Sequence, residues 1–248
     1  MNYKNIVKEL IIENASVFSI FIFFIFMSLF FTISADSFFT QRNFLNLLRQ
    51  SAPILIAATA MTFVITTGGI DLSVGSTLAI VNALCAILLI NQFHWILVLF
   101  ILILVGIACG LIQGYFIAYE GIPAFIVTLA GMSSIRGVAL LMTEGFTIPI
   151  DKNLGIIYLG RGWLFGIPIP AIIAVIIIFI GYILLNNTTY GQYITGIGSN
   201  SEAARRSGIN IKFYTLITYI FCGVCAAIGG IIIAARLGSG SSNAGVMF

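Results

Sequence analysis

The run from Thr66 to Ser76 is a dense group of polar residues between two apolar stretches. It reads Thr66-Thr67-Gly68-Gly69-Ile70-Asp71-Leu72-Ser73-Val74-Gly75-Ser76. Hydroxyls and a carboxylate in this arrangement can exchange hydrogen bonds with a polar solute as that solute loses its water. The paired glycines permit a sharp turn of the backbone. A carboxylate so close to apolar residues needs a partner or a wet cavity.

Two interpretations of this run remain open from the residues alone. In the first it is an ordinary turn at a membrane surface, where Asp71 and Ser73 cap the next helix and accept its free N–H groups. In the second it is a helix break below the surface that lines a polar path, since non-helical backbone survives at depth only when it is shielded or wet. The second interpretation makes seven polar residues candidates for the path: Thr66, Thr67, Asp71, Ser73, Ser76, Asn82 and Thr128.

Arg136 is a second candidate, because it is the one cation in the otherwise apolar stretch from 125 to 141. A charge within a membrane span is a functional candidate by default. The alternative is that its long side chain extends to the nearer interface and leaves the guanidinium in water. Glu144 follows about two helical turns later, and this spacing favours the alternative.

A third candidate runs from Ser199 to Gly208. Ser199 and Glu202 have the spacing of a capping box, in which each side chain bonds a free N–H group at a helix start. This pattern predicts a two-turn helix over residues 200–207, and Gly208 suits the chain reversal that ends a helix. The segment is either a solvated surface helix or a helix that docks a cytoplasmic partner.

The charges and small residues of this short helix fit both readings. Arg205 and Arg206 would lie near its C-terminal end, where the helix dipole favours cations. Ala203 and Ala204 would form a small exposed face that fits a groove on a partner.

Other chemistries find no support in the sequence. It contains no phosphate-binding G-x-x-x-x-G-K-[ST] motif, no hydrolase triad pattern and one histidine, His94. Four cysteines lie inside apolar runs, where they are expected to pack as small residues: Cys85, Cys109, Cys222 and Cys225. We therefore predict no catalytic residue, no metal site and no cofactor. The net charge of +3 is too small to indicate a nucleic-acid partner.

The elements that position these residues are predicted to be membrane-spanning helices. Of 248 residues, 60% are apolar and 8% are charged, whereas soluble domains carry about 25% charged residues. Continuous apolar runs favour helices over the alternating strands of a barrel. We therefore predict an all-α polytopic membrane protein with seven spans: Val17–Ile33, Ser51–Thr67, Val74–Ile90, Trp95–Ala118, Ile122–Met142, Ile167–Leu185 and Tyr214–Ala235.

Polar stretches separate the predicted spans. In Ser34–Gln50, the apolar residues from Phe44 to Leu48 suggest a short helix lying at the interface. Thr143–Gly166 is the longest loop on one side and Asn186–Phe213 the longest on the other. Basic residues divide evenly, five on each side. The orientation therefore relies on the first span, with Lys4 and Lys8 before it, and places the N-terminus in the cytoplasm.

Small residues recur at a spacing that brings membrane helices together. Gly106, Gly110 and Gly114 form one such row, and Ala226, Gly230 and Ala234 form another. Rows of this kind let helix backbones approach each other closely in lipid. They predict a packed helical bundle.

Four ordered motifs resemble the membrane permeases of ribose-type ABC importers, in a match from about Phe38 to the end. They are Met61–Ser76, Gly160–Pro170, Asn200–Asn210, and Ala235–Ser239 followed by Asn243–Gly245. The resemblance implies the cobalamin-importer (type II-like) permease fold, with about ten spans in each subunit. It also implies one permease domain over 1–248 that is incomplete at the C-terminus, with a cytoplasmic coupling loop at 186–213.

The resemblance implies partners as well. Cytoplasmic ATP-binding subunits would carry the ATPase activity, a second permease subunit would pair with this one as a homodimer, and an external sugar-binding protein would deliver the solute. The bacterial plasma (inner) membrane would surround the protein. The loop Thr143–Gly166 and the region after Arg236 would face the binding protein, and the break at 68–75 would lie beside the sugar path. The residues implied to couple to the ATPase are Ser199, Asn200, Glu202, Ala203, Ala204, Arg205, Ser207 and Gly208.

The resulting hypothesis is a permease subunit that moves a monosaccharide, ribose or a similar simple sugar, inward. An alternative is a secondary transporter of a small polar solute, driven by an ion gradient, in which Asp71 or Arg136 is the coupling charge. A membrane scaffold without transport activity is a third reading.

Overall fold

The structure, a computed structural model, describes residues 15–246, with side chains from residue 17 onward. Lys4 and Lys8, on which the predicted orientation relies, lie outside the described residues. The described residues divide into two compact units, one up to residue 47 and one from residue 48 onward. Each unit is described by itself.

The described part of the first unit is dominated by helix α1, Ala15–Ser34. Its large apolar side chains are exposed along the whole length, as expected of a helix that faces lipid. A tight turn follows, in which the Phe31 and Phe38 rings lie 5.6 Å apart and the Asn43 side-chain amide donates to the Phe38 carbonyl oxygen at 2.8 Å. This turn leads into helix α2.

Helix α2 extends over Gln41–Thr66 without interruption. The prediction of a separate interfacial helix around Phe44–Leu48 is therefore wrong. The residues after Leu48 are compatible with a helix, and Pro53 removes only the hydrogen bond to the carbonyl four residues earlier. The loss of one hydrogen bond does not end the helix, because the other peptide groups would have no hydrogen-bond partner in lipid outside a helix.

The remaining elements belong to the second unit. Its helices are α3 (Val74–Ile90), α4 (Trp95–Ala118), α5 (Ala124–Thr143), α6 (Ile157–Arg161), α7 (Ile169–Asn187), α8 (Thr189–Ser199), α9 (Ser201–Arg206) and α10 (Ile211–Leu237). Its four two-residue strands form two antiparallel pairs: β1 (Ile148–Pro149) with β4 (Ser239–Gly240), and β2 (Trp163–Leu164) with β3 (Ile167–Pro168).

Within the described residues, six helices are long and apolar enough to cross a membrane, and α3 is a shorter apolar helix. Helices occupy all seven predicted span positions, with ends that differ by a few residues apart from the longer start of α2. The prediction of an all-α, multi-pass membrane protein is confirmed.

Helix α10 is the most buried of the long helices, because it packs along both α3 and α4. Its contact with α4 depends on glycine. A Cβ atom on Gly106 would lie 2.5 Å from the Gly223 carbonyl oxygen, and a Cβ atom on Gly223 would collide with the Gly106 carbonyl oxygen. The two backbones are therefore in direct contact, as the predicted row of small residues implies.

Arg161 fastens the long loop after α5 to the end of α10. Its Nε donates to the Arg236 carbonyl oxygen and its Nη2 to the Leu237 carbonyl oxygen, both at 2.8 Å. These carbonyls belong to the last turn of a helix, where no intrahelical donor is available. The pairing of β1 with β4 joins the same loop to the chain just after α10.

Arg161→Gln is expected to lower the free energy of unfolding by about 1–3 kcal/mol, because charge-assisted hydrogen bonds to two carbonyls are lost. The melting temperature of the purified protein in detergent measures this change. Lys152→Gln removes a charge from an exposed position in the same loop and is the control. Equal melting temperatures for the two variants would contradict the proposed role of Arg161.

Candidate functional site

The polar run between α2 and α3 is buried inside the second unit. Only 5% of Asp71 and 1% of Ser73 are exposed. Helix α3, at 17 residues, is about 26 Å long, which is shorter than a hydrocarbon core of about 30 Å. The break is therefore shielded by other helices of the second unit. This geometry favours the interpretation as a broken helix over that of a surface turn.

Glycine is required at two consecutive positions of the turn, Gly68 and Gly69. Gly68 has a φ of +80°, a conformation that side chains with a Cβ rarely adopt. A Cβ on Gly69 would lie 2.5 Å from the Tyr219 hydroxyl oxygen. The Tyr219 hydroxyl donates to the Ile70 carbonyl oxygen at 3.4 Å, and the Thr128 hydroxyl oxygen lies 3.2 Å from the same carbonyl oxygen. Helices α10 and α5 thus hold the break in place.

Asp71 organises the start of α3. Its Oδ1 accepts from the Ser73 N–H at 2.8 Å and from the Ser73 hydroxyl at 2.7 Å. The prediction that Ser73 caps the helix with its side chain is wrong, because its hydroxyl bonds no helix N–H and serves Asp71 instead. The Ser73 oxygen also lies 2.9 Å from the side-chain amide of Gln113. Since a hydroxyl has one proton, both contacts are satisfied when the Gln113 NH₂ group is the donor in the second.

A cavity of 620 Å³ opens beside the break. Its volume falls in the range of small-molecule sites, about 300–1,000 Å³. Thr67 belongs to the wall of this cavity. The Thr67 hydroxyl donates to the Val64 carbonyl oxygen at 2.7 Å. The wall combines the turn, the α8–α9 junction and the facing ends of α4, α5 and α10: Thr67, Gly68, Gly69, Ile117, Ala118, Ile122, Pro123, Ala124, Ile197, Gly198, Ser199, Asn200, Ser201, Ile211, Thr215 and Tyr219.

Gly198 connects the α8–α9 junction directly to the break. A Cβ on this residue would collide with the Thr66 carbonyl oxygen and lie 3.2 Å from the Gly68 nitrogen. A movement of the α8–α9 junction therefore reaches the break without any intervening side chain. The sequence carried no signal for this contact beyond the presence of a glycine.

Of the seven predicted path residues, only Thr67 belongs to the wall of this cavity. The Thr66 hydroxyl donates to the Thr62 carbonyl oxygen in its own helix at 2.7 Å. Asn82 is fully buried and joins three segments, since its Oδ1 accepts from the Ser241 N–H at 2.7 Å and its Nδ2 donates to the Gly230 carbonyl oxygen at 3.3 Å. The structure thus gives Asn82 a packing role and does not bring it to the break.

Arg136 points into the bundle. Its Nε donates to the Ser76 hydroxyl oxygen at 3.3 Å and its Nη1 to the Ser242 carbonyl oxygen at 3.1 Å. The favoured prediction, in which the side chain extends to the interface near Glu144, is therefore wrong. A guanidinium that finds two oxygen acceptors inside the bundle has no need to reach water.

The predicted surface helix is present as α9, but its start differs from the prediction. Asn200 is the capping residue, and its Oδ1 accepts from the Ala203 N–H at 3.0 Å. The predicted capping box of Ser199 and Glu202 is wrong, because Ser199 is the last residue of α8. Asn200 has extended backbone dihedrals, which place its side chain, rather than that of Ser199, over the free N–H groups.

Glu202 pairs with both arginines of α9. Arg205 Nη2 and Arg206 Nε lie 2.8 and 2.9 Å from its Oε1. Hydrogen bonds from Arg205 and then Arg206 lower the pKa of the Glu202 carboxyl below its ordinary value, so this group is negatively charged at neutral pH. The three side chains are exposed and present a mixed-charge surface.

The predicted small face of α9 is only half correct. Ala203 is exposed, as predicted, but Ala204 is buried, with 5% exposed. Ser207 and Gly208 follow the helix and are exposed. A partner that contacts α9 therefore meets Ala203 and the charged side chains, while Ala204 holds the helix against the bundle.

Sequence reasoning missed three residues of this region. Gln113 is a buried amide in the apolar helix α4, and this contrast was a usable signal. Tyr219 lies in α10 among other aromatic residues, so nothing in the sequence distinguished it. Ser242 follows α10 and is 1% exposed, a position that only the structure reveals.

Comparison with known proteins identifies the kind of protein that carries these features. The profile of a family described as the permease component of branched-chain amino acid transport systems matches residues 43–248. No solved structure gives a significant match.

Several characterised permeases are similar in sequence. The ribose import permease protein of Haemophilus influenzae is 36% identical over 85% of this chain and 66% of its own length. The galactofuranose transporter permease protein of Escherichia coli is 38% identical over 82% of this chain and 59% of its own length. The xylose transport system permease protein of E. coli is 32% identical over 94% of this chain and 75% of its own length. The matches to the first two relatives thus span less than two thirds of their length.

Proposed function

Because this chain belongs to the family of permease components of branched-chain amino acid transport systems, we propose that it is the membrane subunit of an ABC importer for a monosaccharide. The names of similar permeases support a sugar such as ribose, galactofuranose or xylose as the solute. The observation that carries the proposal is the cavity shared by the buried break and the α8–α9 junction. It places a polar, solute-sized space next to the segment proposed to receive the motion of the ATPase.

In this proposal the sugar path continues from the cavity past the polar groups of the break, which lie outside the cavity wall. Asp71, Ser73 and Gln113 form a connected polar group in an otherwise apolar interior. Hydroxyl groups of a sugar can exchange with such groups as water leaves. Binding in the permease is weak and transient, and transport proceeds by alternation between inward-open and outward-open states. Thr67, Ser76 and Thr128 remain proposed contacts at the edges of this path.

The coupling step is proposed to occur at α9. ATP hydrolysis takes place in separate cytoplasmic subunits, which contact the exposed surface formed by Ala203, Glu202 and Arg205. Movement of α9 passes to Gly198 and from there to the break. We propose that the α9 side faces the cytoplasm, and that the protein lies in the inner membrane of a bacterium with its N-terminus in the cytoplasm.

The opposite side of the bundle is proposed to receive the external sugar-binding protein. The loop Thr143–Gly166 and the segment after Arg236 lie together there, joined by strands β1 and β4 and by Arg161. A second copy of the permease completes the path. This anchoring gives a partner a fixed surface to contact.

A secondary transporter remains the alternative, because Asp71 is a buried carboxylate that forms no ion pair within the described residues. Such a group suits a coupling ion. The secondary-transporter alternative predicts that transport depends on an ion gradient and does not require α9.

The two proposals are separated by transport into proteoliposomes. The permease is co-produced with candidate ATP-binding subunits and reconstituted with a sugar-binding protein, and uptake of radiolabelled D-ribose, D-xylose and D-galactose is measured. We expect uptake that requires ATP and persists when ionophores collapse proton and sodium gradients. Uptake that needs the gradient and proceeds without ATP would replace the importer with the secondary transporter.

A charge reversal tests the coupling surface in the same preparation. Glu202→Lys breaks both ion pairs of α9 and is expected to lower binding of the ATP-binding subunit and ATP-driven uptake by about tenfold, equivalent to about 1.4 kcal/mol. Glu120→Lys, an exposed charge reversal in the turn between α4 and α5, is the control. Equal binding and uptake by both variants would contradict coupling through α9.

A further inference from the structure

The hairpin formed by strands β2 and β3 exposes large apolar side chains at one end of the bundle. Its four large side chains are between 41% and 95% exposed: Trp163, Leu164, Phe165 and Ile167. Phe165 and Gly166 form the turn, with φ angles of +51° and +78°, as in the two-residue turns that close β-hairpins. An exposed apolar group of this size indicates contact with a partner or with lipid.

This hairpin is held firmly by its neighbours. The Tyr158 hydroxyl donates to the Trp163 carbonyl oxygen at 3.1 Å, and the Ile169 N–H donates to the Gly162 carbonyl oxygen at 3.0 Å. A Cβ on Gly162 would lie 2.6 Å from the Tyr158 ring. The exposed side chains therefore belong to a fixed surface that is fastened to α6 and to the start of α7.

The hairpin is continuous with a membrane span. Helix α7 starts at Ile169, the residue after β3, and its 19 residues give a length of about 28 Å, close to the hydrocarbon core of about 30 Å. Val175 and Phe179 are exposed along α7, as expected of a face in contact with lipid.

The size of the hairpin keeps it close to the bilayer. Each strand has two residues, so the hairpin extends about 7 Å from the end of α7. The headgroup layer on each side of the hydrocarbon core is about 5–8 Å thick. The tip at Phe165 therefore lies in this layer even where the hairpin points away from the bilayer centre.

Two arginines mark the same level of the bundle. The Arg49 guanidinium carbon lies 5.5 Å from the centre of the Trp163 ring, a distance at which a cation is attracted to a ring face. No charged residue occurs between Arg49 and Asp71, or between Arg161 and Glu202. Both arginines thus lie where a long uncharged stretch begins, and tryptophan beside arginine is typical of a membrane interface.

We propose that this hairpin binds the lipid headgroup layer, with Trp163, Leu164 and Phe165 inserted among the lipids. Lipid is favoured over a protein partner, because the surface continues the lipid-facing side of α7 and residues 162–168 carry no polar side chain that could orient a protein contact. The hairpin then fixes the depth of α7 and of the long loop. Residues 143–161 of that loop remain for the external sugar-binding protein.

Tryptophan fluorescence tests this contact in the full chain, reconstituted in phosphatidylcholine vesicles. The sequence contains two tryptophans, Trp95 and Trp163, so the difference in emission between the wild type and Trp163→Phe reports Trp163 alone. Bromine attached to the acyl chains quenches tryptophan on contact. With bromine near the headgroup, we expect the emission of Trp163 to fall about twofold or more relative to unbrominated vesicles. A smaller loss is expected with bromine near the chain ends.

Phe165→Trp in the otherwise unchanged chain adds a tryptophan at the tip and decides the test where Trp163→Phe fails to fold. Its additional emission is expected to show the same loss. Asn153→Trp is the matched control, because this residue is exposed in the same loop beside the charged Asp151 and Lys152. Its additional emission is expected to be quenched by iodide in the water and to be unaffected by brominated lipid.

Two results would overturn the lipid contact. Quenching of Trp163 and of the tip tryptophan by iodide, without an effect of brominated lipid, would assign the hairpin to water and to a soluble protein partner. Equal losses in brominated vesicles for the tryptophans introduced at 153 and 165 would show that the signal is not specific to the hairpin. Neither readout requires sugar uptake, so failure of the importer proposal would leave this inference standing.

Discussion

Gly223→Leu is expected to prevent stable packing of α4 against α10, with a cost of at least about 3 kcal/mol. The Gly106 carbonyl oxygen already occupies the space that a Cβ on Gly223 would need. The backbone fixes the position of a Cβ, and the atom that it meets is a backbone oxygen, so no rotamer change relieves the contact. The yield of monodisperse protein in detergent and its melting temperature measure the effect.

Gly137→Leu makes the same chemical change where the helix surface is open. No atom lies within 4 Å of the position of its Cβ, so this variant of α5 is expected to keep the yield and melting temperature of the wild type. A comparable loss in both variants would show that the α4–α10 contact is not specially tight. A wild-type yield and melting temperature for Gly223→Leu would refute the close contact between α4 and α10.

Gly198→Val is expected to lower ATP-driven sugar uptake by about tenfold or more, compared per molecule of folded permease. The added side chain separates the α8–α9 junction from the Thr66 carbonyl oxygen, and this contact is the proposed route from α9 to the break. Uptake per molecule of permease in proteoliposomes, corrected for protein content, measures the loss.

Gly196→Val lies two residues earlier in the same helix and makes the same change in helix propensity. Nothing lies within 4 Å of its Cβ position, so its uptake is expected to stay close to that of the wild type. A Cβ on any residue at 198 meets the Thr66 carbonyl oxygen, so yield and melting temperature are measured beside uptake for Gly198→Val and for Gly198→Ala, the smallest such change. Similar uptake by the variants at 196 and 198 would argue against a direct mechanical link between the junction and the break.

Much of the fold could be predicted because lipid leaves few choices. In a bilayer each backbone group must be bonded within its own element, so a long apolar run such as Trp95–Ala118 can be assigned to a helix with its limits. The failures occur where polar residues allow more than one arrangement. The stretch before Pro53 was compatible with either a separate helix or a longer α2, and the structure has the longer one.

The candidate site was less predictable, because it depends on contacts between distant segments. The polar run 66–76 identified the break, but nothing local indicated that Tyr219 or Gly198 would lie against it. Arg136 was recognised as unusual, yet its direction depends on Ser242, 106 residues later in the chain. The type of a side chain in the sequence can show that a position is unusual, but the residue that it contacts depends on the tertiary fold.

Helix α10 has 27 residues and a length of about 40 Å. Near one end its hydroxyl at Tyr219 supports the break, and at the other Arg161 and strand β4 tie it to the long loop. A rod of this kind transmits displacement along its axis with little loss, because compressing it would strain every peptide hydrogen bond in series. A displacement of the Tyr219 end of α10 is therefore carried to the end held by Arg161 and β4, so one helix connects the break mechanically to the long loop.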